Sequence, residues 1–340
     1  MKSQPQTILT PALVANLAAT AKPRGETSIA LQDALAELST LPASSIVRAS
    51  SEISVAARLG WQPLTHRLIS AEPIFVRDLA LMTRNPDYAW LFLFHPDGRV
   101  REAALDAIQT PPTSPFFLSA LFWRLNDWAK PVRVAAERCL HRVEQRISPD
   151  VAASTAPYLL DRRHVRARWG TEADLLDHIF GRKAVVATLV PWLRREANGS
   201  LGKYLRRALR YDAIDEHLPI LAAAATQPQV RAIAYQCLLT NKASWFAGFE
   251  WMWIDKIYNI KRRVPKFESR PLPGVTSLPD LFWQAARDRS VIVRRVAADA
   301  LIAAASLVPD ADRLIAHLAE DESQSVRSRA DYLRRHPPVA

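Results

Sequence analysis

The chain has 340 residues, of which 49% are hydrophobic and 23% charged, so it is too apolar for a disordered protein and long enough for a large core or a repeat array. Its 9 glycines are too few for the tight hairpins of most β architectures or for the glycine-rich loops of nucleotide-binding α/β folds. Basic residues outnumber acidic ones by 45 to 34, which gives a net charge of +11. Composition therefore predicts a helical chain with a surplus of surface cations.

The N-terminal segment 8–21 leans apolar, but polar residues and Pro11 interrupt it, so it predicts a helix and makes a poor signal peptide. The longest wholly apolar stretches, such as 88–94, are far shorter than the roughly 20 residues that a membrane span requires. We therefore expect no membrane span and a cytoplasmic location.

A Val-Arg step recurs along the chain and opens an amphipathic pattern. Four strong copies and a weaker fifth begin at Val100, Val132, Val230, Val293 and Val326. In each strong copy, apolar residues follow the valine after four, seven and eight positions, which is the stripe of a helix that buries one face. The residue four positions on is alanine in every copy, so a neighbouring helix can approach closely there.

The only two cysteines, Cys139 and Cys237, occupy equivalent positions, seven residues after the valine of their copies. They are too few and too far apart for a disulfide framework or for a zinc site of the paired C-x-x-C kind. We predict that both are buried packing residues rather than reactive thiols.

Two further features accompany the step. Looser copies begin at Val47, Val76, Val165 and Leu205. An aspartate lies five residues before the valine in three copies, at Asp127, Asp288 and Asp321. Together with the step, they resemble the HEAT and HEAT-like repeat family over most of residues 70–335.

The resemblance implies an all-α fold, a right-handed α-α superhelix (HEAT-like solenoid) of about eight to nine helical hairpins with one insertion. In that family the step opens the second helix of each hairpin, and its arginine pairs with the turn aspartates. The step arginines are then structural and do not form a nucleic-acid surface. They are Arg101, Arg133, Arg231, Arg294 and Arg327.

The spacing of the steps predicts the organisation of the chain. Val230 and Val293 are 63 residues apart, so an insertion of roughly one repeat lies between them. We expect a helical cap of degenerate repeats over 1–70, HEAT-like repeats over 71–240, an aromatic and basic insertion over 241–280, and C-terminal HEAT-like repeats with a cap over 281–340.

The expected concave face, formed by the second helices, carries mixed chemistry. Its exposed positions follow each valine after two, six and nine residues. They read Glu102, Asp106, Gln109, then Val134, Arg138, His141, then Ala232, Gln236, Leu239, then Arg295, Asp299, Ile302. A long nucleic-acid groove requires cations that repeat along such rows, and these rows do not supply them.

Positive charge is concentrated in two segments instead. Residues 161–211 hold twelve Lys or Arg against five acidic residues, and residues 256–270 hold six against one. A local basic patch attracts an acidic protein surface, a nucleic-acid backbone or an anionic membrane alike. The candidate partner-binding cations are Arg162, Arg163, Arg207, Arg210, Lys261, Arg262 and Arg263.

Aromatic residues are dense just before the second basic segment. The candidate partner-binding aromatics are Trp245, Trp251, Trp253 and Tyr258. Trp and Arg are the side chains that most often anchor interfaces, and rings beside cations also stack on single-stranded nucleic acid. The alternative interpretation is a long helix whose stripe of Trp245, Phe249 and Trp253 packs on its neighbours.

The sequence contains no complete catalytic or metal-binding motif. Residues 199–204 approach a phosphate loop, but Ala197 stands where the first glycine belongs, and Tyr204 replaces the hydroxyl residue that holds magnesium. No pair of histidines has the H-E-x-x-H spacing of a zinc site, and no serine lies in a G-x-S-x-G elbow. We expect neither a metal nor a cofactor.

Three functions stay open. The first is a non-enzymatic HEAT-like scaffold or adaptor that binds a protein with an acidic surface. The second is a nucleic-acid-binding protein, possibly an enzyme similar to the HEAT-like alkylpurine DNA glycosylases. Those enzymes pair an aspartate with Trp and Arg. In this chain Asp255, beside Trp251, Trp253 and Arg262, would be that aspartate. The third is a bilin lyase, another enzyme class on this scaffold.

Overall fold

The computed structural model describes residues 7–21, 27–61, 73–162, 172–272 and 278–336. In this part of the chain the structure is mostly helical, with one two-stranded sheet. The mostly helical structure agrees with the expected all-α class, and the small sheet lies in the insertion, where no strands were expected. The chain divides into two compact units, Met1–Phe180 and Gly181–Ala340.

The first unit contains ten described helices. They are α1 (Pro11–Thr20), α2 (Thr27–Ser39), α3 (Ile46–Ala56), α4 (Ile74–Arg84), α5 (Tyr88–Phe92), α6 (Gly98–Ala107), α7 (Pro115–Arg124), α8 (Lys130–Val143), α9 (Pro149–Arg162) and α10 (Glu172–Phe180). Helix starts follow local chemistry: the hydroxyl oxygens of Thr10 and Ser114 accept the backbone N–H groups of Leu13 and Phe117, and each cap is followed by a proline.

The second unit contains eight described helices and both strands. They are α11 (Lys183–Arg195), α12 (Leu201–Ala208), α13 (Leu218–Ala224), α14 (Pro228–Thr240), β1 (Lys242–Asp255), β2 (Ile260–Pro271), α15 (Leu278–Ala286), α16 (Val291–Ala304), α17 (Ala311–Ala319) and α18 (Gln324–Arg335). None of the helices in the described ranges is both long enough and apolar enough to cross a bilayer.

The Val-Arg step has the local structure that its pattern predicts. In all five copies the valine is the third residue of a helix, namely α6, α8, α14, α16 and α18. Each of these valines, and each alanine four positions later, is completely buried. Since alanine leaves little more than backbone at the contact, neighbouring helices pack closely along this line. The predicted buried stripe is confirmed.

Each step helix packs against the helix that precedes it, and the two form a helical hairpin: α5 with α6 and α7 with α8 in the first unit, then α13 with α14, α15 with α16, and α17 with α18 in the second. Step helices also pack on one another, α6 on α8, and α14 and α18 on α16. The step helices therefore pack both within their hairpins and on one another.

Ion pairs connect successive hairpins through the step arginines. Arg101 donates from Nε and Nη2 to Asp127 at 3.0 and 2.8 Å, and Arg294 donates in the same way to Asp321 at 2.5 and 3.1 Å. The Nη1 groups of all five step arginines donate to backbone carbonyls five or six residues earlier, in the turn before the helix. All five arginines therefore bind the turn before their helix, and Arg101, Arg231 and Arg294 also pair with an aspartate of the next hairpin.

The first unit contains a variant of this arrangement that the sequence pattern missed. His95 lies five residues before Val100, where other copies have aspartate, and its Nδ1 accepts the backbone N–H of Asp97 at 2.9 Å. Its Nε2 hydrogen-bonds Asp78 Oδ2 at 3.0 Å, and both side chains are buried. Asp78 thus takes the place of a step arginine, while Arg77 is half exposed. The loose copy at Val76 begins at the same place in its helix as the other copies, but Val76 is only half-buried and Ala80 is exposed, so it does not repeat their buried stripe.

Both cysteines are buried and unpaired, as predicted. Burial raises the pKa of Cys139 and that of Cys237 to about 11. Because the thiolate is the reactive form, both thiols are inert at neutral pH and serve as small apolar packing groups.

Candidate functional site

The predicted insertion is a β-hairpin, so the alternative interpretation of a long packing helix is wrong. Helix α14 ends at Thr240, and the left-handed backbone of the next residue, Asn241, with φ of 51°, turns the chain into β1. Strands β1 and β2 pair antiparallel along their length, with Trp251 opposite Arg263. A bulge between Phe246 and Gly248 adds one residue to β1, so the alternation of side chains between the two faces is reversed after it. Trp245 and Trp253 therefore lie on opposite faces, although their spacing is helical.

One face of the hairpin gathers rings and cations. Directly opposed residues share a face, and successive residues of a strand alternate between faces. The register therefore assigns to this side, which we name the aromatic face, the large residues Phe246, Phe249, Trp251, Trp253, Lys261, Arg263 and Phe267. The opposite face carries Trp245, Met252, Arg262, Val264 and Lys266.

The cations of the aromatic face lie over its rings. Lys261 Nζ is 4.0 Å from the centroid of the Trp253 ring, and Arg263 Cζ is 4.2 Å from that of Phe249. Phe246 makes edge contacts with Phe249 and Phe267, at centroid distances of 5.1 and 5.9 Å. Trp251 is nevertheless 68% exposed. These contacts hold the cations in place and leave large apolar areas open to a partner.

The hairpin turn exposes the predicted candidate Tyr258 together with apolar residues that the sequence pattern did not single out. Ile257 is 90% exposed and Tyr258 is 76% exposed, and Met252, Ile254 and Ile260 are at least half exposed. Asp255 Oδ1 accepts the backbone N–H groups of Ile257 and Tyr258 at 2.8 and 3.1 Å. The carboxylate named above as a candidate catalytic group therefore shapes this turn.

The base of the hairpin is anchored to the helices of the second unit. Arg270 donates from Nη1 and Nη2 to the two carboxylate oxygens of Asp215 at 2.7 and 2.6 Å. It also donates to the carbonyl oxygens of Leu209 and Tyr211. The hydrogen bond to Asp215 raises the pKa of Arg270 above its ordinary value. The hairpin is thus fixed at its base, while its outer part is exposed.

The four candidate cations of the 161–211 segment have different positions. Arg207 is buried, with its guanidinium carbon 4.9 Å from the Phe246 ring centroid and its Nη1 donating to the Phe246 carbonyl at 3.2 Å. It supports the base of the aromatic face. Arg210 is half-buried beyond the end of α12. Arg162 ends α9 in the first unit, 4.3 Å from the Tyr158 ring centroid, and Arg163 lies outside the described residues.

The described residues contain no group of three or more His, Cys, Asp or Glu side chains that could hold a metal ion. The aromatic face offers exposed rings and cations, which are side chains that often anchor interfaces. Comparison of the chain with protein-family models, with curated proteins and with solved structures finds no match.

Proposed function

We propose that the protein is a non-enzymatic HEAT-like scaffold, a right-handed solenoid of helical hairpins, that binds a protein partner through the aromatic face and turn of the β-hairpin. The step-helix packing and the Arg–Asp pairs support a repeat scaffold, because each hairpin needs its neighbours to bury its stripe. The observation that carries the binding proposal is the exposure of Trp251 and Trp253 beside Lys261 and Arg263.

The exposed turn favours a protein as the partner. Ile254, Ile257 and Ile260 offer exposed aliphatic side chains. Moving them from water into an apolar pocket favours binding by about 25 cal/mol for each Å² of apolar surface that is buried. A folded protein supplies such pockets, whereas a nucleic acid supplies mainly phosphates and base faces. Lys261 and Arg263 then select a partner with acidic residues around that pocket.

A pair of double variants tests this proposal within one hairpin. Trp251→Ala/Arg263→Ala removes one ring and one cation from the aromatic face, at directly opposed positions. Met252→Ala/Arg262→Ala removes an apolar side chain and a cation from the next opposed pair, on the other face. The two variants have the same net charge, so they separate the effect of the face from the effect of charge.

The measurement is affinity capture from cell extract, followed by titration of the identified partner as a purified protein. We expect the aromatic-face variant to lose affinity by roughly thirtyfold or more, which is the effect of a hot-spot residue. The opposite-face variant keeps affinity near that of the parent protein. Equal loss in both variants, or a partner that nuclease treatment releases, contradicts the proposal.

Nucleic-acid binding is the second candidate, and the row of rings on the aromatic face is the observation that favours it. Bases stack on exposed rings, and cations beside them neutralise phosphates. Fluorescence anisotropy with a single-stranded oligonucleotide distinguishes the candidates: binding that falls steeply between roughly 50 and 200 mM salt supports this candidate. Absence of binding at the lower salt concentration rejects it.

A further inference from the structure

A second candidate site lies in the second unit. A cavity of about 710 Å³ is lined by residues of α12, α14 and α16, a size that suits a small molecule. Its basic side chains are Lys203, Arg206, Arg207 and Arg295, and Asp299 is the one carboxylate among the lining residues. The segment 199–203, which lacks the full motif of a phosphate loop, forms part of the wall.

The charges of this cavity are not balanced by its own wall. Asp299 forms an ion pair with Arg329 of α18, which is not among the lining residues. Arg206 Nη2 donates to the neutral amide oxygen of Gln236 at 3.2 Å. Arg295 makes no hydrogen bond or ion pair with any residue in the described ranges. Arg206 and Arg295 therefore face the cavity without a carboxylate partner, and a ligand anion would supply their counter-charge.

Equivalent positions elsewhere show that the imbalance is specific to this place. Asp106, six residues after Val100, accepts Arg138 Nη2 of the neighbouring step helix at 2.8 and 2.9 Å. Asp299, six residues after its own valine, also pairs with an arginine of the next step helix, Arg329 of α18. Gln236 occupies the position of these aspartates in α14 and accepts from Arg206 of the preceding helix α12, so this arginine meets a neutral amide. The wall keeps its positive charge as a result.

The cavity wall also has an apolar part, and its cationic surface is short. Ala232, Ile233 and Val296 line the cavity between the cations. Farther along α14 and α16 the same rows continue with Leu239, which is buried, and Ile302, not with more Lys or Arg. A nucleic acid needs cations that repeat along its backbone, whereas a compact ligand needs them in one place.

We propose that this cavity binds a small organic phosphate that carries at least two phosphate groups and an apolar portion. Arginine guanidinium groups match phosphate oxygens with paired hydrogen bonds, and Lys203 supplies an additional point charge. Ile233 and Val296 contact the apolar portion. The cavity shares Phe246 and Arg207 with the base of the aromatic face, but Arg206 and Arg295 belong to the cavity only, and the inference does not rest on the proposed protein partner.

Isothermal titration calorimetry with two probes, ATP and inorganic pyrophosphate, tests the site at about 150 mM salt, where weak surface attraction is screened. The cavity variant is Arg206→Gln/Arg295→Gln. The matched control is Arg138→Gln/Arg335→Gln, which removes the same charge from two exposed arginines that are not among the lining residues. Circular dichroism verifies that each variant keeps its helical content.

We expect the parent protein to bind both probes, and ATP more tightly because it also has an apolar portion. The cavity variant loses at least tenfold in affinity, and the control stays within about twofold of the parent. The Trp251→Ala/Arg263→Ala variant also keeps ATP binding, which separates this site from the proposed protein interface.

Three outcomes overturn the inference. The first is the absence of heat with both probes up to about 1 mM. The second is equal loss in the cavity variant and the control, which shows attraction by net charge only. The third is a single-stranded oligonucleotide, or a vesicle of phosphatidylcholine and phosphatidylserine, that binds through Arg206 and Arg295 while ATP does not.

Discussion

Arg231 and Asp288 form a two-pronged ion pair with distances of 2.8 and 2.9 Å, although 57 residues separate them in the sequence. The whole β-hairpin lies between the two residues. The β-hairpin therefore does not interrupt the contact between α14 and α16. Arg231 and Asp288 form the same kind of pair that connects helical hairpins adjacent in the sequence.

Replacing Arg231 by alanine is expected to destabilise the second unit by about 3–5 kcal/mol, because Asp288 then lies in a largely buried place without its partner. The exposed pair of Arg138 and Asp106 provides the comparison, and Arg138→Ala is expected to change stability little or not at all. Urea unfolding followed by circular dichroism measures both. Equal effects of the two substitutions contradict a structural role for Arg231.

Acid is expected to weaken the Arg–Asp pairs. Burial alone raises the pKa of the Asp127 carboxyl, but the hydrogen bonds from Arg101 and Ala129 and the charges of Arg124 and Arg101 outweigh it and hold the pKa below its ordinary 3.8. The folded state thus binds this proton more weakly than the unfolded chain. The stabilisation is fully present above about pH 4 and is lost as the pH falls through the folded-state value.

Asp127→Asn is the test of this pH dependence. It is expected to lower the thermal unfolding midpoint at pH 7, since Arg101 and Arg124 lose their counter-charge. It is also expected to flatten the fall in the midpoint between about pH 5 and pH 2, because one titrating carboxyl is gone. A slope in the variant as steep as in the parent protein shows that other carboxyls cause the acid sensitivity.

The sequence predicts the helical repeats well because their signal is local. A helix that buries one face must place apolar residues at a fixed period, and the valine and alanine positions of the step do so in all five copies. The ion pairs follow from the position of aspartate before the valine. Where His95 replaces that aspartate, the pairing partner changes as well, and an alignment based on Val and Arg alone missed the buried pair with Asp78.

The strands were not predictable from the spacing of the large residues. Trp245, Phe249 and Trp253 recur every fourth residue, which fits a helix, but the bulge after Phe246 places Trp245 on the other face of a strand. The better signal was composition. The segment combines many aromatic residues with a turn from Asp255 to Asn259, which favours a hairpin. The cavity was not predictable, because α12, α14 and α16 form it only when packed.

Arg270→Ala is expected to loosen the hairpin without unfolding the helices. It removes the donors that connect β2 to Asp215 and to the carbonyls of Leu209 and Tyr211. Hydrogen–deuterium exchange followed by mass spectrometry is expected to show faster exchange over 242–271 and unchanged protection in α14 and α16.

The control for this substitution is Arg262→Ala, which removes an exposed arginine near the start of β2. It is expected to leave exchange in the hairpin as in the parent protein. Faster exchange in both variants points to a general loss of positive charge, and unchanged exchange in Arg270→Ala shows that strand pairing alone holds the hairpin.

Cysteine labelling provides a probe of each unit, because Cys139 lies in the first and Cys237 in the second. Burial raises both thiol pKa values to about 11, so only about a thousandth of each thiol is ionised at pH 8, and the side chains are also covered. Iodoacetamide is therefore expected to label neither cysteine in the folded protein and both in urea.

In Arg231→Ala, Cys237 of the same helix is expected to become reactive at a lower urea concentration than in the parent protein. Rapid labelling of Cys237 in the folded parent protein contradicts its packing role.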